Sequence, residues 1–153
     1  MKIVPYDKKY KNDFIEMNLL WISEMFVLEE EDLAILQHVD ERITQGAEIF
    51  FAVAEDETVL ACCMIEPLPN GEWEIAKFCA KGMHIGTGAG SACLKACIDF
   101  AKKKQIEKIV IVSNRKCEAA VRLYRKFGFT EVPVDREKFP FERADIAFEM
   151  VLA

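Results

Sequence analysis

Residues 82–94 read GMHIGTGAGSACL: Gly86, Gly88 and Gly90 recur at every second position and run straight into an apolar helical pattern. Thr87, Ala89 and Ser91 stand beside them, and few of these side chains can screen the main chain. Successive backbone N–H groups are therefore free to face one point at a helix N-terminus. Unpaired amides and the positive end of the helix dipole converge there, a geometry that attracts phosphate. The stretch predicts a phosphorylated cofactor before any catalytic residue is named.

The segments around it set out a mixed sheet. Pro69-Asn70-Gly71 marks a tight hairpin, because Asn-Gly supplies the positive φ values such a reversal needs. The strand at 72–80, EWEIAKFCA, then leads into the glycine loop. Strands at 48–55 and 58–67 flank an acidic turn, and a short strand covers 2–5. Helical spacing of Tyr10, Phe14, Met17, Leu20 and Trp21 predicts a helix over 8–24, and Leu33, Leu36 and Ile43 predict a second over about 30–45. Downstream, a helix over 88–104 places Cys93, Ala96, Cys97, Phe100 and Ala101 on one face. IVIVS at 109–113 is a strand of the type buried on both faces. A helix over 117–127 ends at Gly128, a natural C-terminal cap. Strands at 130–134 and 144–152 close the chain around a loop holding Pro140. The order β-α-α-β-β-β-α-β-α-β-β implies an α/β mixed sheet with one βαβ crossover and helices on both faces.

Composition narrows the function. The 153 residues suit one domain, and no internal repeat or linker divides residues 1–153. The longest apolar runs, such as 59–65, are too short to span a bilayer, so no membrane partner is expected. The N-terminus turns polar after four residues, unlike a signal peptide. Six cysteines, at 62, 63, 79, 93, 97 and 117, form no CxxC and no paired spacing. They read as free thiols in a reducing cytoplasm, with no metal site. A net charge of −6 argues against nucleic acid as the partner. The acidic run Glu29-Glu30-Glu31-Asp32 reads as a solvated first helical turn, and Lys102-Lys103-Lys104 as cations complementing a helix C-terminus. His84 reads as an ordinary loop histidine. A dinucleotide-binding fingerprint would want a third glycine where Ser91 stands and an acid ending the next strand, which ends Val112-Ser113-Asn114. A Walker loop is excluded, since no Gly-Lys-Ser/Thr follows.

Three patterns in this order carry a family resemblance: EWEIAKFCA at 72–80, Ile85-Gly86-Thr87-Gly88-Ala89-Gly90, and AAVRLYRKFGF at 119–129. The chain resembles the Gcn5-related N-acetyltransferase (GNAT) family, whose loop signature is Q/R-x-x-G-x-G/A and whose later helix reads A-x-x-L-Y-x-K-x-G-F. The resemblance implies a sheet splayed between strands four and five, with acetyl-CoA as co-substrate in the slot. It implies that the loop from Ile85 through Ser91 holds the pyrophosphate on its amides. The pantetheine arm would pair with strand four near Phe78 and Ala80 as an added strand, with Asn114 as a further cofactor contact. A backbone N–H there would polarise the thioester carbonyl. Two departures stand out. Ile85 replaces the family's Gln or Arg, removing one polar contact. Asn114 lies ten residues before Tyr124, whereas Cys117 occupies the nearer position, seven before it.

Acetyl transfer to an amine moves two protons: the attacking ammonium loses one and the departing thiolate gains one. A tyrosine phenol, of ordinary pKa about 10, can supply the second. By the resemblance, Tyr124 takes that role. Glu74 on strand four is the candidate base, with Glu72, Glu66 or a chain of waters as competitors. Trp21, Met25 and Phe26 read as core or slot wall. The implied activity is direct acetyl transfer from acetyl-CoA to a primary amine of a small molecule or peptide. A non-enzymatic acyl-CoA-binding module on the same fold is the alternative. An edge strand at 144–152 would allow a homodimer through strand pairing.

Overall fold

Runs of apolar and β-branched residues in the middle of the chain build a sheet that must be covered on both faces, and amphipathic helices on either side cover it. A computed structural model describes residues 1–81 and 86–152. Its first half holds β1 (Lys2–Val4), α1 (Lys11–Met25), α2 (Glu30–Leu36), α3 (Val39–Thr44), β2 (Glu48–Val53) and β3 (Val59–Pro67). Next come β4 (Trp73–Ala80), α4 (Ala89–Lys103), β5 (Lys108–Ser113), α5 (Glu118–Lys126), β6 (Thr130–Val132) and β7 (Ile146–Val151). A single 3-10 turn, Lys8–Tyr10, leads into α1.

The helix expected over 30–45 is two helices. The N–H of Gln37 still reaches the Leu33 carbonyl at 2.9 Å, but that of His38 reaches only Ile35, at 3.1 Å. The tightened turn ends α2 and redirects the chain, so that Leu36 and Val39 are both buried.

The strands form one sheet in the order β1-β2-β3-β4-β5-β7-β6. Only the β4–β5 pair is parallel. β7 lies between β5 and β6, paired from Lys108↔Val151 to Ser113↔Ile146 on one side and from Thr130↔Glu149 to Val132↔Ala147 on the other. The strand expected at an edge over 144–152 is therefore interior, and the outer strands are β1 and β6. The six-residue apolar β5 is the longer partner available, and β7 takes it on one side.

Two cores result. On one face Cys93, Leu94, Cys97 and Ile98 of α4 pack with Ile65, Ile75, Ile109 and Ile111. On the other, Phe14 and Met17 of α1 and Ile35 of α2 pack with Ile49, Phe51 and Met64. All six cysteines are free, most of them within these cores.

One irregularity positions the site. β4 pairs with β5 only at Trp73↔Ile109 and Glu74↔Val110. On its other side, the register with β3 jumps from Met64↔Ala76 to Cys62↔Cys79, leaving Lys77 and Phe78 opposite Cys63 alone. Lys77 adopts φ +53°, the left-handed region. Such a bulge bends and twists its strand. It falls where β4 and β5 part, and the β5-facing edge of residues 76–80 carries no ladder.

Candidate active site

The wedge between the diverging strands opens into a cavity of about 770 Å³, lined by β4, β5, α1, α5 and the start of α4. At one end stands the glycine loop. Gly88 is the N-cap of α4 at φ +91°, a conformation glycine adopts without strain. The first helical bond runs from Ala92 N to Gly88 O at 3.0 Å, so the amides of Ala89, Gly90 and Ser91 precede the helical ladder. Gly90 has a different reason to be glycine: a Cβ there would stand 3.2 Å from Cζ of Phe78. Its absence lets the helix start approach β4. Gly86, Gly88, Gly90 and Ser91 line the cavity, Thr87 is exposed in the turn, and the Ala89 side chain is buried in the core. Ile85 and His84 lie outside the described residues.

Phe78 and Ala80 line the cavity along the open edge of β4. Opposite them α5 presents Tyr124, buried and ringed by Phe78 at 6.1 Å, Phe129 at 6.1 Å and Phe148 at 5.5 Å between centroids. Its hydroxyl hydrogen-bonds to none of the described residues. Burial pushes the phenol well above its ordinary pKa, with Cys63 and Cys117 adding to the effect, so it holds its proton throughout the physiological range.

Glu74 lines the same cavity and is buried. Desolvation, then the cross-strand neighbour Glu66, pushes its pKa up to about 8, against the opposing pull of Lys77 and Arg42. The competing carboxylates are engaged elsewhere. Glu66 accepts from Arg42 Nη1 at 2.6 Å, and its Oε2 is buried with no hydrogen-bond partner among the described residues. Glu72 bonds to Lys138 at 2.9 Å and lies 3.5 Å from Lys108, away from the cavity.

Asn114 lies where a cofactor contact is expected of it, at the cavity wall. Its Nδ2 donates to the Arg143 carbonyl at 2.7 Å and its Oδ1 accepts from Lys116 N at 2.8 Å. Each end of the amide makes one bond that holds the turn after β5 and keeps one donor or lone pair for a ligand. Cys117, the N-cap residue of α5, also lines the cavity, and burial raises its thiol pKa.

The acidic run is the larger correction. Asp32 is not solvated but fully buried. It bonds to Lys77 Nζ at 2.7 Å and to Arg143 through Nη1 at 2.8 Å and Nη2 at 2.5 Å. Burial alone would raise its pKa, but the Arg143 and Lys77 contacts hold it down to about 2. Lys77 and Arg143 both line the cavity, as do Phe141, Trp21, Met25 and Phe26. The last three are slot wall. Sequence reasoning missed Lys77, which lies within the 72–80 pattern but is given no role there, and Arg143 and Phe141, whose neighbours carry no motif.

Among the described residues, no group of three or more His, Cys, Asp or Glu could hold a metal ion, and no helix is long and apolar enough to cross a membrane.

Comparison with known proteins agrees with this architecture. Residues 14–129 match the model of the acetyltransferase (GNAT) family. An uncharacterized N-acetyltransferase of Bacillus subtilis (strain 168), YobR, is 25% identical over 131 residues, covering 84% of this chain and 51% of YobR. The chain thus spans about half the length of that curated relative. A GNAT-family acetyltransferase of Staphylococcus aureus Mu50 superposes with a TM-score of 0.88 at 18% identity, over 99% of both chains. yncA of Salmonella typhimurium, solved with its cofactor acetyl-CoA, superposes at 0.78 with 18% identity, over 100% of this chain and 94% of its own. The PaiA N-acetyltransferase of Thermoplasma acidophilum, solved with coenzyme A, superposes at 0.74 with 17% identity, over 99% of both chains. With its family model spanning residues 14–129 and the splayed mixed sheet in place, the chain belongs to the GNAT acetyltransferase family.

Proposed function

We propose that the protein transfers an acetyl group from acetyl-CoA directly to a primary amine of a small molecule or peptide. The observation that carries this reading is the parting of β4 from β5 after two paired positions, with a glycine-led helix N-terminus at the mouth of the gap. The residues present fit the ligand: Gly90 leaves room where a side chain would press on Phe78, and the amides of Ala89, Gly90 and Ser91, ahead of the helical ladder, suit a diphosphate. The folds of yncA and PaiA, solved with acetyl-CoA and coenzyme A, support the same assignment.

Bound acetyl-CoA supplies an activated acyl carbon, whose C–S bond breaks as a C–N bond to the acceptor forms. The unpaired edge of β4 at 76–80 takes the pantetheine arm as an added strand, and a backbone N–H beside Phe78 polarises the carbonyl oxygen. Glu74 receives the proton of the attacking ammonium. A carboxyl with a pKa of about 8 is matched to that task, because it is ionised in part at neutral pH yet basic enough to take a proton. Tyr124, protonated and bonded to none of the described residues, gives its proton to the departing sulfur. The six free thiols suit a reducing compartment such as the cytoplasm.

Calorimetry with acetyl-CoA and coenzyme A, followed by thiol release with an amine panel, tests the proposal. Binding heat and amine-dependent thiol release are expected. Absence of heat with either ligand overturns it, and binding without release from any amine assigns a holding role instead.

A further inference from the structure

Where Asp32 meets β4, two cations line the cavity wall, and their bearing on the acceptor rests on acetyl-CoA occupying the rest of the slot. Asp32 looks like an anion for an incoming ammonium, yet its oxygens are taken. Oδ1 accepts from Lys77 Nζ and Arg143 Nη2, and Oδ2 from Arg143 Nη1 and the backbone N–H of Glu29 at 2.9 Å. A carboxylate offers about four lone-pair sites, and four donors fill them. Asp32 therefore acts as an internal counter-ion that fixes two cations on the cavity wall.

Each of these cations keeps two N–H groups unspent among the described residues, but Lys77 is the more deeply buried, at 4% side-chain exposure against 14% for Arg143. Arg143 reaches Glu29 as well, at 3.3 Å, and its guanidinium lies against the rings of Phe26 and Phe141, at 5.8 and 4.9 Å. Lys77 makes one side-chain hydrogen bond among the described residues, to Asp32, and its Nζ also stands over the Phe141 ring at 5.2 Å. Its ammonium has three donors, its side chain is 4% exposed, and it faces the cavity. A buried ammonium with unspent N–H groups is stabilised by an anionic oxygen supplied by the ligand. A polyamine would instead bring its second cation against Lys77 and Arg143. Glu74, the proton acceptor, lies three residues before Lys77 on the same strand.

We infer that the acceptor is an amino acid: a primary amine whose own carboxylate docks on Lys77 while its ammonium faces Glu74. Trp21, Phe26 and Phe141 give the rest of the molecule an apolar and aromatic wall, which favours a side chain such as that of phenylalanine, tryptophan, leucine or methionine.

The test uses the unaltered protein at saturating acetyl-CoA, with thiol release as the readout. The panel holds these four amino acids, their carboxamides, the decarboxylated amines phenethylamine and tryptamine, and spermidine. At least one free amino acid should exceed its carboxamide in kcat/KM by about tenfold, the equivalent of one hydrogen bond between charged groups. Lys77→Met should remove that preference by raising KM for the free acid, with acetyl-CoA binding heat in the same sample reporting that the variant is folded. Equal or better turnover of the carboxamides, the decarboxylated amines or spermidine overturns the inference. So does a protein that binds acetyl-CoA yet accepts none of the four acids. Loss of acetyl-CoA binding heat in the unaltered protein would instead remove the acetyltransferase reading itself.

Discussion

Replacing Tyr124 by phenylalanine separates catalysis from packing, because the ring is buried while the hydroxyl opens on the cavity and bonds to none of the described residues. The ring contacts with Phe78, Phe129 and Phe148 survive the change. A hydroxyl that opens on a cavity and has no protein partner costs the fold at most about 1 kcal/mol, the low end for an unpaired polar group. Tyr124→Phe should therefore keep or gain stability, and about 1 kcal/mol corresponds to a rise of about 2–4 °C in Tm for a chain of this size. Turnover should move the other way. A positioned proton donor contributes on the order of 10²–10⁴ in rate, so kcat should fall by about 10²-fold or more, a barrier increase of about 3 kcal/mol. Affinity for acetyl-CoA should stay near that of the unaltered protein. Scanning calorimetry, acetyl-CoA titration and thiol release at saturating substrates measure the three quantities. Retention of kcat to within about threefold, under 1 kcal/mol of barrier, refutes the role given to the phenol. A Tm lowered by several degrees refutes the premise that the hydroxyl lacks a structural partner.

Three other perturbations probe the same geometry. With Glu74 at about pKa 8, kcat/KM should rise about tenfold per pH unit below that value and level off above about pH 9, and Glu74→Gln should abolish the rise along with most of the activity. The sign for stability is opposite: the folded protein holds a proton that the unfolded chain releases above about pH 4.5, so this group withdraws stability as pH rises from there to about 8, and Glu74→Gln should unfold later than the unaltered protein at pH 8. Asp32→Asn leaves Lys77 and Arg143 without their counter-ion and should cost about 3–5 kcal/mol in urea unfolding. The unaltered protein should keep the stability due to Asp32 above about pH 4 and lose it as pH falls toward about 2; an acid-unfolding profile identical in both proteins would exclude that contribution. Gly88→Val meets no neighbour within 4 Å but must hold φ +91°, at a cost of about 1–2 kcal/mol, so acetyl-CoA affinity should drop by about tenfold with little change in kcat. Unchanged affinity would separate the loop from the diphosphate.

Much of this fold is local and therefore readable. The tight turn at Asn70-Gly71, the apolar strands β3 and β4 that it joins and the periodicity of α4 all express preferences of short segments, and they appear at the expected places within a residue or two. The break between α2 and α3 was not readable, because the helical spacing of Leu33, Leu36 and Ile43 continues across it; burial of Leu36 and Val39 against the sheet ends the helix at Gln37. Asn114 shows the same limit at the site. Its residue type suits a cofactor contact, but no spacing shows that its amide also bonds the carbonyl of Arg143, 29 positions later.

The amino-acid sequence by itself determined the glycine-led helix start, the strand that precedes it and the helix bearing Tyr124, since each rests on backbone conformations and side-chain periods spanning a dozen residues or fewer. Tertiary structure alone decided where β7 sits, how β4 bends away from β5, and that Asp32 is an interior counter-ion rather than a solvated helix end. The partners of Asp32 lie 45 and 111 positions away. Coulomb energy and desolvation depend on distance in space and on what excludes water, neither of which a linear pattern records.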